Sequence, residues 1–288
     1  MTSVLVTGAS RGIGMATSLV LGRAGLKVFA TMRNPEASPE LARTAAEEGL
    51  PIEVFAMDVN SDASVAEVFR VIEEDDSSVD VLVNNAGIEA RGSVEELDLT
   101  VFRAVMETNY FGALRCIKAV LPQMRVRREG CIVNVTSVAG RISSSPLGAY
   151  AASKFALEGL SEALAQEAKM FNIRVAIVQP GIIDTAMARR IGAGPIGSVY
   201  PHQHRFAGLF AASLQKPASP FLVAEKIRDV IGSGSWTLRH PVGPDAGPFL
   251  EWRSGMTDEE FIDWGASDND TWYENVEREF GLDARLPE

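Results

Sequence analysis

The sequence is poor in the residues that build metal centres and covalent cross-links, with two cysteines and three histidines among its 288 residues. Cys116 and Cys131 lie in apolar stretches without the paired spacing of zinc or thiol redox motifs. His202, His204 and His240 lack acidic or cysteine partners at the spacing that places metal ligands on one helix. We therefore expect both cysteines to be buried and reduced, and we expect no metal centre.

Positive charge and long apolar runs are also scarce. The 27 Lys and Arg residues against 38 Asp and Glu residues give a net charge of −11, which argues against general binding to nucleic acid or to anionic lipid. No apolar run reaches the length that spans a bilayer. Met1 leads directly into a strand-like segment without the basic and apolar regions of a signal peptide. The sequence predicts a cytoplasmic protein that binds neither nucleic acid nor membrane.

What the sequence does contain is a regular alternation of short apolar runs and longer amphipathic stretches. Hydrophobic residues make up 46% of the chain, and no Pro/Gly/Ser-rich linker divides it near the middle, which favours one domain. Apolar strands separated by helices of crossover length are typical of a parallel sheet covered on both faces. We predict an α/β, doubly wound (Rossmann) domain over residues 1–250. Its predicted strands are 4–7, 28–32, 52–57, 79–83, 131–136 and 175–179.

Residues 251–288 differ from the rest, with 12 acidic against 3 basic residues and three of the four tryptophans. Thr257 and Glu260 have the spacing of a capping box at the start of a short helix, and 270–280, followed by Gly281, is predicted as another helix. Disordered acidic tails are poor in aromatic residues. We therefore predict an acidic, Trp-rich helical extension docked on the domain.

The first predicted strand ends in a glycine-rich turn, Thr7-Gly8-Ala9-Ser10-Arg11-Gly12-Ile13-Gly14, which opens a helix. In such a turn backbone N–H groups approach a pyrophosphate, and side chains at the glycine positions obstruct that approach. The spacing differs from the usual dinucleotide fingerprint, and alone it fits a tight strand-to-helix turn equally well. Its place after the first strand favours a dinucleotide.

The end of the second predicted strand lacks the acidic residue that would accept hydrogen bonds from an adenosine ribose. Met32 is neutral, Arg33 follows it, and Arg11 lies inside the glycine turn. Two guanidinium groups suit a 2′-phosphate. The alternative is that either arginine is only a solvated surface charge. The combination predicts NADP(H) over NAD(H).

An ordered set of further motifs runs along the chain. It comprises Asp58-Val59, Asn84-Asn85-Ala86-Gly87, Asn109, Ser137, Tyr150-Ala151-Ala152-Ser153-Lys154 and Pro180-Gly181-Ile182-Ile183-Asp184-Thr185. With the glycine turn, this set resembles the short-chain dehydrogenase/reductase family over about residues 3–185, and more weakly to about 240. Met32-Arg33 and the long segment after Thr185 resemble the steroid and retinol carbonyl reductases of that family.

The resemblance implies a cofactor site at the ends of the strands. Asp58 would hold the adenine amino group with Val59 beside the ring, the Asn85 segment would line the adenosine ribose, and the Pro180–Thr185 segment would wrap the nicotinamide. Asn84 would instead brace the sheet. The predicted cofactor-binding residues are Gly8, Ser10, Arg11, Gly12, Ile13, Gly14, Arg33, Asp58, Val59, Asn85, Ala86, Gly87, Tyr150, Lys154, Pro180, Gly181, Ile183 and Thr185.

The predicted catalytic set is Asn109, Ser137, Tyr150 and Lys154. Tyr150 and Lys154 are four residues apart in a helical pattern and would share one helix face. An ammonium beside a tyrosine favours the phenolate and lowers its pKa from about 10, so Tyr150 suits a general acid or base. Ser137 would bond the substrate oxygen. The resemblance further implies that Lys154 bonds the nicotinamide ribose and that Asn109 holds a water in a proton relay.

The segment 186–220 is rich in glycine, proline, methionine and aromatic residues, and in this fold it lies over the cofactor cleft. We predict a mobile apolar lid over a hydrophobic ketone or aldehyde substrate, with Met187 and Tyr200 joining Ser137 and Tyr150 as candidate substrate contacts. A surface excursion whose aromatics fill the core is the alternative. His202 or His204 could bond a distal polar group, although a solvated loop histidine is the favoured interpretation.

Two other functions stay open at this point. One is an NAD-preferring alcohol dehydrogenase of the same fold, and the other is a cofactor-binding regulatory protein without turnover. The first conflicts with Arg11 and Arg33, and the second predicts a damaged catalytic set, which this chain does not have. Helices over 100–126 and 148–171 resemble the surfaces that pair subunits in the family, which predicts a homodimer or homotetramer.

Overall fold

The fold is built on one parallel sheet. The structure, a computed structural model, describes residues 1–74, 78–194 and 197–286. Within these ranges seven strands pair in the order β3-β2-β1-β4-β5-β6-β7, all parallel. The strands are β1 (Ser3–Thr7), β2 (Lys27–Met32), β3 (Ile52–Ala56), β4 (Val81–Asn84), β5 (Gly130–Val135), β6 (Ile173–Pro180) and β7 (Arg239–Val242).

Helices cover both faces of the sheet. In the described part of the chain they are α1 (Gly12–Arg23), α2 (Glu40–Glu48), α3 (Asp62–Glu74), α4 (Leu99–Met106), α5 (Gly112–Arg127), α6 (Gly148–Lys169), α7 (Ala186–Gly192), α8 (His202–Ser213), α9 (Pro220–Ser233), α10 (Ala246–Ser254), α11 (Asp258–Ala266) and α12 (Asn269–Phe280). None of these helices is long and apolar enough to cross a membrane.

Two hydrophobic cores result from the alternation of side chains along each strand. In β1, Val4 and Val6 join one core with residues of α1 and α9, whereas Leu5 joins the other with residues of α3 and α5. Both cysteines are buried, one in each core. The predicted doubly wound α/β fold is confirmed.

Two features depart from the expected pattern. Strand β7 pairs in parallel with β6 at the sheet edge and was not predicted, because its sequence Arg-His-Pro-Val is short and polar and contains a proline. The helix expected over 100–126 is divided into α4 and α5 by a π-helical turn at Glu107–Phe111. Such single turns re-aim side chains and are frequent at functional sites, and this turn places Asn109 in the interior.

The C-terminal segment packs against α8. The capping box forms, since Thr257 Oγ1 accepts a hydrogen bond from Glu260 N at 3.2 Å and Thr257 N donates to Glu260 Oε2 at 2.8 Å. Trp272 is buried in a cluster that includes Val276 and Leu209 of α8. Helix α10 begins at Ala246, so the helical extension starts slightly earlier than the change in composition at residue 251.

Polar contacts reinforce this packing. The buried side chain of Arg205, on α8, donates to Asn269 Oδ1 at 2.8 Å and to the carbonyl oxygens of Gly265 and Ser267 at 3.2 and 2.7 Å. Because a buried guanidinium without acceptors is costly, these bonds fix the loop between α11 and α12 over α8.

The burial of Trp272 gives a stability prediction. Replacing Trp272 with alanine removes an indole that is 6% exposed and should lower the free energy of unfolding by about 3–5 kcal/mol, measured by urea denaturation. Ile262→Ala, at a residue that is 64% exposed, serves as the control and should change stability by less than about 0.5 kcal/mol. Equal stability of the two variants would contradict the docking of the extension.

Candidate active site

One large cleft, of about 1090 Å³, opens at the carboxyl ends of the strands. The strand order reverses direction between β1 and β4, and ligands of doubly wound sheets bind beside that point. The cleft extends from the glycine turn to the aromatic residues of α8 and the C-terminal helices. It is therefore long enough to join a cofactor region to a separate apolar region.

The glycine turn has the backbone that a pyrophosphate cradle requires. Gly8 and Gly12 have positive φ angles of 70° and 57°, which side chains disfavour. A Cβ at Gly14 would lie 2.3 Å from the Gly8 carbonyl oxygen. The N-terminus of α1 has no side-chain cap from Arg11 and points into the same region. These residues fit a dinucleotide, whose phosphate charge the helix N-terminus would favour.

Asn85 fixes this turn to the end of β4. Its Nδ2 donates to the carbonyl oxygens of Thr7 at 2.9 Å and Gly8 at 3.2 Å, while Thr7 Oγ1 accepts from the backbone of Asn85 and Ala86, each at 3.0 Å. Asn85, Ala86 and Gly87 line the cleft. The amide of Asn85 is nevertheless committed to the protein backbone, so its side chain braces the cradle.

Asn84, by contrast, points into the sheet. Its Nδ2 donates to Asn134 Oδ1 at 2.9 Å, and Asn134 donates in turn to Ser161 of α6 at 2.8 Å. This is the bracing role that the sequence predicts for Asn84.

The region expected to hold the adenosine is assembled from three strand ends. Arg11, Arg33, Asp58 and Val59 all line the cleft. Both arginines are exposed, whereas Met32 is buried. The structure thus brings the cationic side chains of Arg11 and Arg33 to this part of the cleft, together with the carboxylate of Asp58.

Ser137 and Tyr150 meet on the opposite side of the cleft. Ser137 follows β5, and its Oγ accepts a hydrogen bond from Ala139 N at 3.1 Å. Tyr150 and Lys154 lie on successive turns of α6, with Lys154 Nζ 5.6 Å from the centre of the Tyr150 ring. Lys154 is buried and donates to the Val135 carbonyl oxygen at 3.0 Å. The expected shared face of α6 is therefore present.

Burial dominates the proton affinities of this pair. It raises the pKa of Tyr150 to about 12, against a hydrogen bond with Ser137 that lowers it. It also lowers the pKa of Lys154 to about 8, while the carboxylate of Glu158 opposes that shift. The sequence-based expectation of a lowered tyrosine pKa is wrong, because desolvation of the phenolate has the largest effect on this group and raises its pKa. The phenol is protonated at neutral pH.

Asn109 connects three parts of the site. Its Oδ1 accepts from Ile88 N at 2.8 Å, and its Nδ2 donates to Ile88 O and to Ser153 Oγ, each at 2.9 Å. Ser153 in turn donates to the Tyr150 carbonyl oxygen at 2.7 Å. Because both amide hydrogens are used within the protein, the side chain acts here as a brace that aligns α6 with the loop after β4.

Sequence reasoning missed Glu158, which lies one turn beyond Lys154 and is 4% exposed. Its carboxylate accepts hydrogen bonds from Thr136 Oγ1 at 2.8 Å and from Gln179 Nε2 and Arg239 Nε, each at 2.9 Å. Buried charges are stable only when they are paired and hydrogen-bonded in this way. The four-residue spacing from Lys154 was the available signal, but the partners come from β6, β7 and the end of β5.

Asp245 was also missed. Its Oδ2 accepts from the backbone N of Ile182 at 2.7 Å, so it holds the loop that follows β6. A Cβ at Gly181 would lie 2.1 Å from Asp245 Oδ1, which leaves glycine as the residue that fits. Pro180, Gly181, Ile183 and Thr185 of this loop line the cleft. Nothing near Asp245 in the sequence indicates this contact, because it joins residues 63 positions apart.

Of the two candidate substrate contacts in the segment 186–220, Met187 lines the cleft. His202 and the paired rings of Phe206 and Phe210, all on α8, line it as well. Tyr200 does not, since it lies at the surface with its hydroxyl bonded to Glu95.

The C-terminal extension forms the apolar end of the cleft, a role that the sequence did not indicate. Its aromatic lining residues are Phe249, Trp252, Phe261, Trp264, Trp272 and Phe280. The rings of Trp252 and Trp264 pack edge to face with their centres 4.8 Å apart.

Comparison with known proteins agrees with this arrangement. The profile of the family described as short chain dehydrogenase matches residues 2–195. Retinol dehydrogenase 8 of Bos taurus is 38% identical in an alignment 251 positions long that covers 82% of this chain and 80% of that protein. The 17-beta-hydroxysteroid dehydrogenase type 1 of Mus musculus is 36% identical over 74% of this chain and 63% of that protein.

A solved structure, that of a single-residue variant of actinorhodin polyketide ketoreductase with NADPH, superposes with a TM-score of 0.77 at 31% identity, over 85% of this chain and 97% of that one. The family comprises oxidoreductases that use nicotinamide cofactors on CH–OH and C=O groups. This chain belongs to the short-chain dehydrogenase family.

Proposed function

We propose that this protein is an NADP(H)-dependent reductase of hydrophobic ketones and aldehydes, with Tyr150 as the general acid. The observation that carries the proposal is a partly buried Tyr150 beside Ser137, in a cleft that joins the glycine turn to an aromatic chamber, with desolvation holding the pKa of its phenol at about 12. A phenol that keeps its proton at neutral pH suits donation to a carbonyl oxygen.

Ser137, Tyr150 and Lys154 have different roles in the proposed reduction. Ser137 Oγ and the Tyr150 hydroxyl hold the carbonyl oxygen, and Tyr150 transfers its proton to that oxygen. A nicotinamide cofactor held in the cleft would supply the hydride. Lys154 then stabilises the phenolate, and its fixed position on α6 also suits a hydrogen bond to the cofactor ribose. In the direction of alcohol oxidation Tyr150 is the base.

NADP(H) is the cofactor that the charges at the end of β2 support. Arg11 and Arg33 both reach the cleft, while the acidic residue that NAD enzymes use for the ribose hydroxyls is missing from that strand end. The similar ketoreductase structure contains NADPH. An NAD-preferring alcohol dehydrogenase is the alternative.

A large hydrophobic substrate is supported by the wall of aromatic side chains and by relatives named for retinol and hydroxysteroids. The complete set of Asn109, Ser137, Tyr150 and Lys154 speaks against a binding protein without turnover. The cytoplasmic location and the homo-oligomer stay predictions from the sequence. Phe111 and Phe155, each 43% exposed, lie on the helices expected to pair subunits.

Removing the phenolic hydroxyl tests the proposed acid. Tyr150→Phe should bind NADPH but reduce hydrophobic ketones at least about 100-fold more slowly, because general acid catalysis contributes about 10²–10⁴ in rate. The measurement is NADPH oxidation against a panel of ketones, aldehydes, steroids and quinones. Tyr200→Phe is the matched control and should retain its rate. Near-normal turnover by Tyr150→Phe would refute the assigned role.

The two arginines give a cofactor prediction. Arg33→Ala and Arg11→Ala should each weaken NADPH binding about tenfold or more and leave NADH binding nearly unchanged, because a charged hydrogen bond to phosphate contributes about 1.5–3 kcal/mol. Fluorescence titration gives both affinities. Arg43→Ala, at a residue paired with Glu47 on α2, is the control. A wild-type protein that binds NADH as tightly as NADPH would contradict the NADP(H) proposal.

The Glu158 contact predicts a shift in the pH profile. The kcat/KM for ketone reduction should fall above about pH 8 as Lys154 loses its charge. Since the carboxylate of Glu158 raises the pKa of Lys154, Glu158→Gln should lower that pKa and move the decline to lower pH. Glu162→Gln, which also removes a partner of Arg239 but lies at the surface, should leave the profile in place. An unchanged profile in Glu158→Gln would exclude this tuning.

A further inference from the structure

Glu89 is an acidic residue in the cleft that the proposed reaction does not use. It follows Ile88 in the loop after β4 and lines the same cleft as Ser137 and Tyr150. Its side chain is partly buried, and Oε2 is inaccessible to solvent with no hydrogen-bond partner among the residues that the structure describes. An acceptor in this condition is rare in folded proteins and points to a missing donor.

The neighbouring arginines do not supply that donor. Arg91 directs its guanidinium to the carbonyl oxygens of Arg190, Ile191 and Gly194, at 3.1–3.2 Å. Arg91 and Arg190 moderate the charge of Glu89 from a distance, but burial has the larger effect and raises the pKa of Glu89. The carboxyl group is therefore held in the cleft at a cost in desolvation.

Glu89 is also near the reacting position. A Cβ on Gly87, two residues before Glu89, would lie 3.7 Å from Lys154 Nζ, so this loop runs beside the catalytic face of α6. In agreement with this position, the charge of Glu89 raises the pKa of the Tyr150 phenol. Tyr150 packs against an apolar cluster of Leu147, Ile191 and Phe206. A donor on a bound substrate would satisfy Glu89 only if it lay close to the carbonyl that Tyr150 protonates.

We propose that Glu89 selects carbonyl substrates that carry an O–H or N–H donor on the carbon next to the carbonyl group. This inference rests on the proposed reductase function and narrows its substrate class to α-hydroxy or α-amino ketones with an apolar remainder. A site built around a donor discriminates strongly against the analogue without it, because the buried acceptor is then left unpaired.

Four acetophenones of similar size separate the possibilities. The α-hydroxy compound carries a neutral donor and the α-methoxy compound is its matched control without one. The α-dimethylamino compound carries a cationic N–H donor when protonated, and acetophenone lacks any substituent. The wild-type protein should show a kcat/KM about tenfold or more higher for the α-hydroxy or the protonated α-amino ketone than for the α-methoxy ketone.

Two substitutions assign the preference to Glu89. In Glu89→Leu the ratio should fall to near one, because no acceptor remains. Glu89→Gln retains an amide oxygen, so it should keep a preference for the hydroxyl and lose one for the cationic amine. Glu129→Gln is the control, since this exposed residue precedes β5 at the opposite edge of the sheet, and it should keep the wild-type ratio.

Binding measurements keep the inference separate from the proposed reaction. Trp252, Trp264 and Trp272 line the cleft, so tryptophan fluorescence reports the Kd of each ketone without turnover. If no ketone is reduced but the Kd ratio between α-hydroxy and α-methoxy compounds depends on Glu89, the selectivity stands and the reductase proposal fails. Equal kcat/KM and Kd values for the two compounds in the wild type, or an unchanged ratio in Glu89→Leu, would overturn the inference.

Discussion

A parallel sheet whose two faces are covered by helices can bind a ligand only at the ends of its strands, and the positions of the other elements follow from this constraint. The two cores occupy the faces, so the polar side chains that line the cleft lie at the carboxyl ends of the strands. The first βα turn, the loops after β4 and β6, and the start of α6 all reach this one edge. The cleft is the space they leave between them.

Buried charged groups are stable only when they are paired and hydrogen-bonded, and two of them, Lys154 and Glu158, lie on α6. The two residues lie one turn apart on this helix. Lys154 donates to the carbonyl oxygen of Val135 at the end of β5. Glu158 accepts from Thr136, which follows β5, and from Gln179 on β6. Arg239 closes the set from the edge strand β7. The edge strand β7 therefore helps to hold the Glu158 carboxylate, which raises the pKa of Lys154.

Much of the fold and of the site could be predicted from the sequence, because the signals involved are local. Apolar runs in β1 through β6 and the glycine turn follow directly from burial and backbone sterics. Strand β7 could not be predicted, because its own residues lack an apolar run and it forms by pairing with β6. Tyr200 was expected in the cleft because of the composition of its segment, yet its hydroxyl finds Glu95 at the surface.

The contacts that could not be predicted from the sequence share one cause. Glu158, Asp245 and Glu89 acquire their surroundings from distant parts of the chain, and periodicity carries no information about such partners. The same limit explains the pKa of Tyr150, since the degree of burial that raises it is a property of the assembled cleft. Spacing identified the tyrosine and the lysine, whereas their proton affinities required the complete structure.

The hydrogen bond between Asp245 and Ile182 joins the α/β domain to the C-terminal helices. Asp245 stands at the start of α10, and Ile182 lies in the loop beside the predicted nicotinamide site. Neither can shift alone without leaving a half-buried carboxylate bare. One carboxylate therefore fixes the loop beside the predicted nicotinamide site and the first helix of the aromatic chamber in a single arrangement.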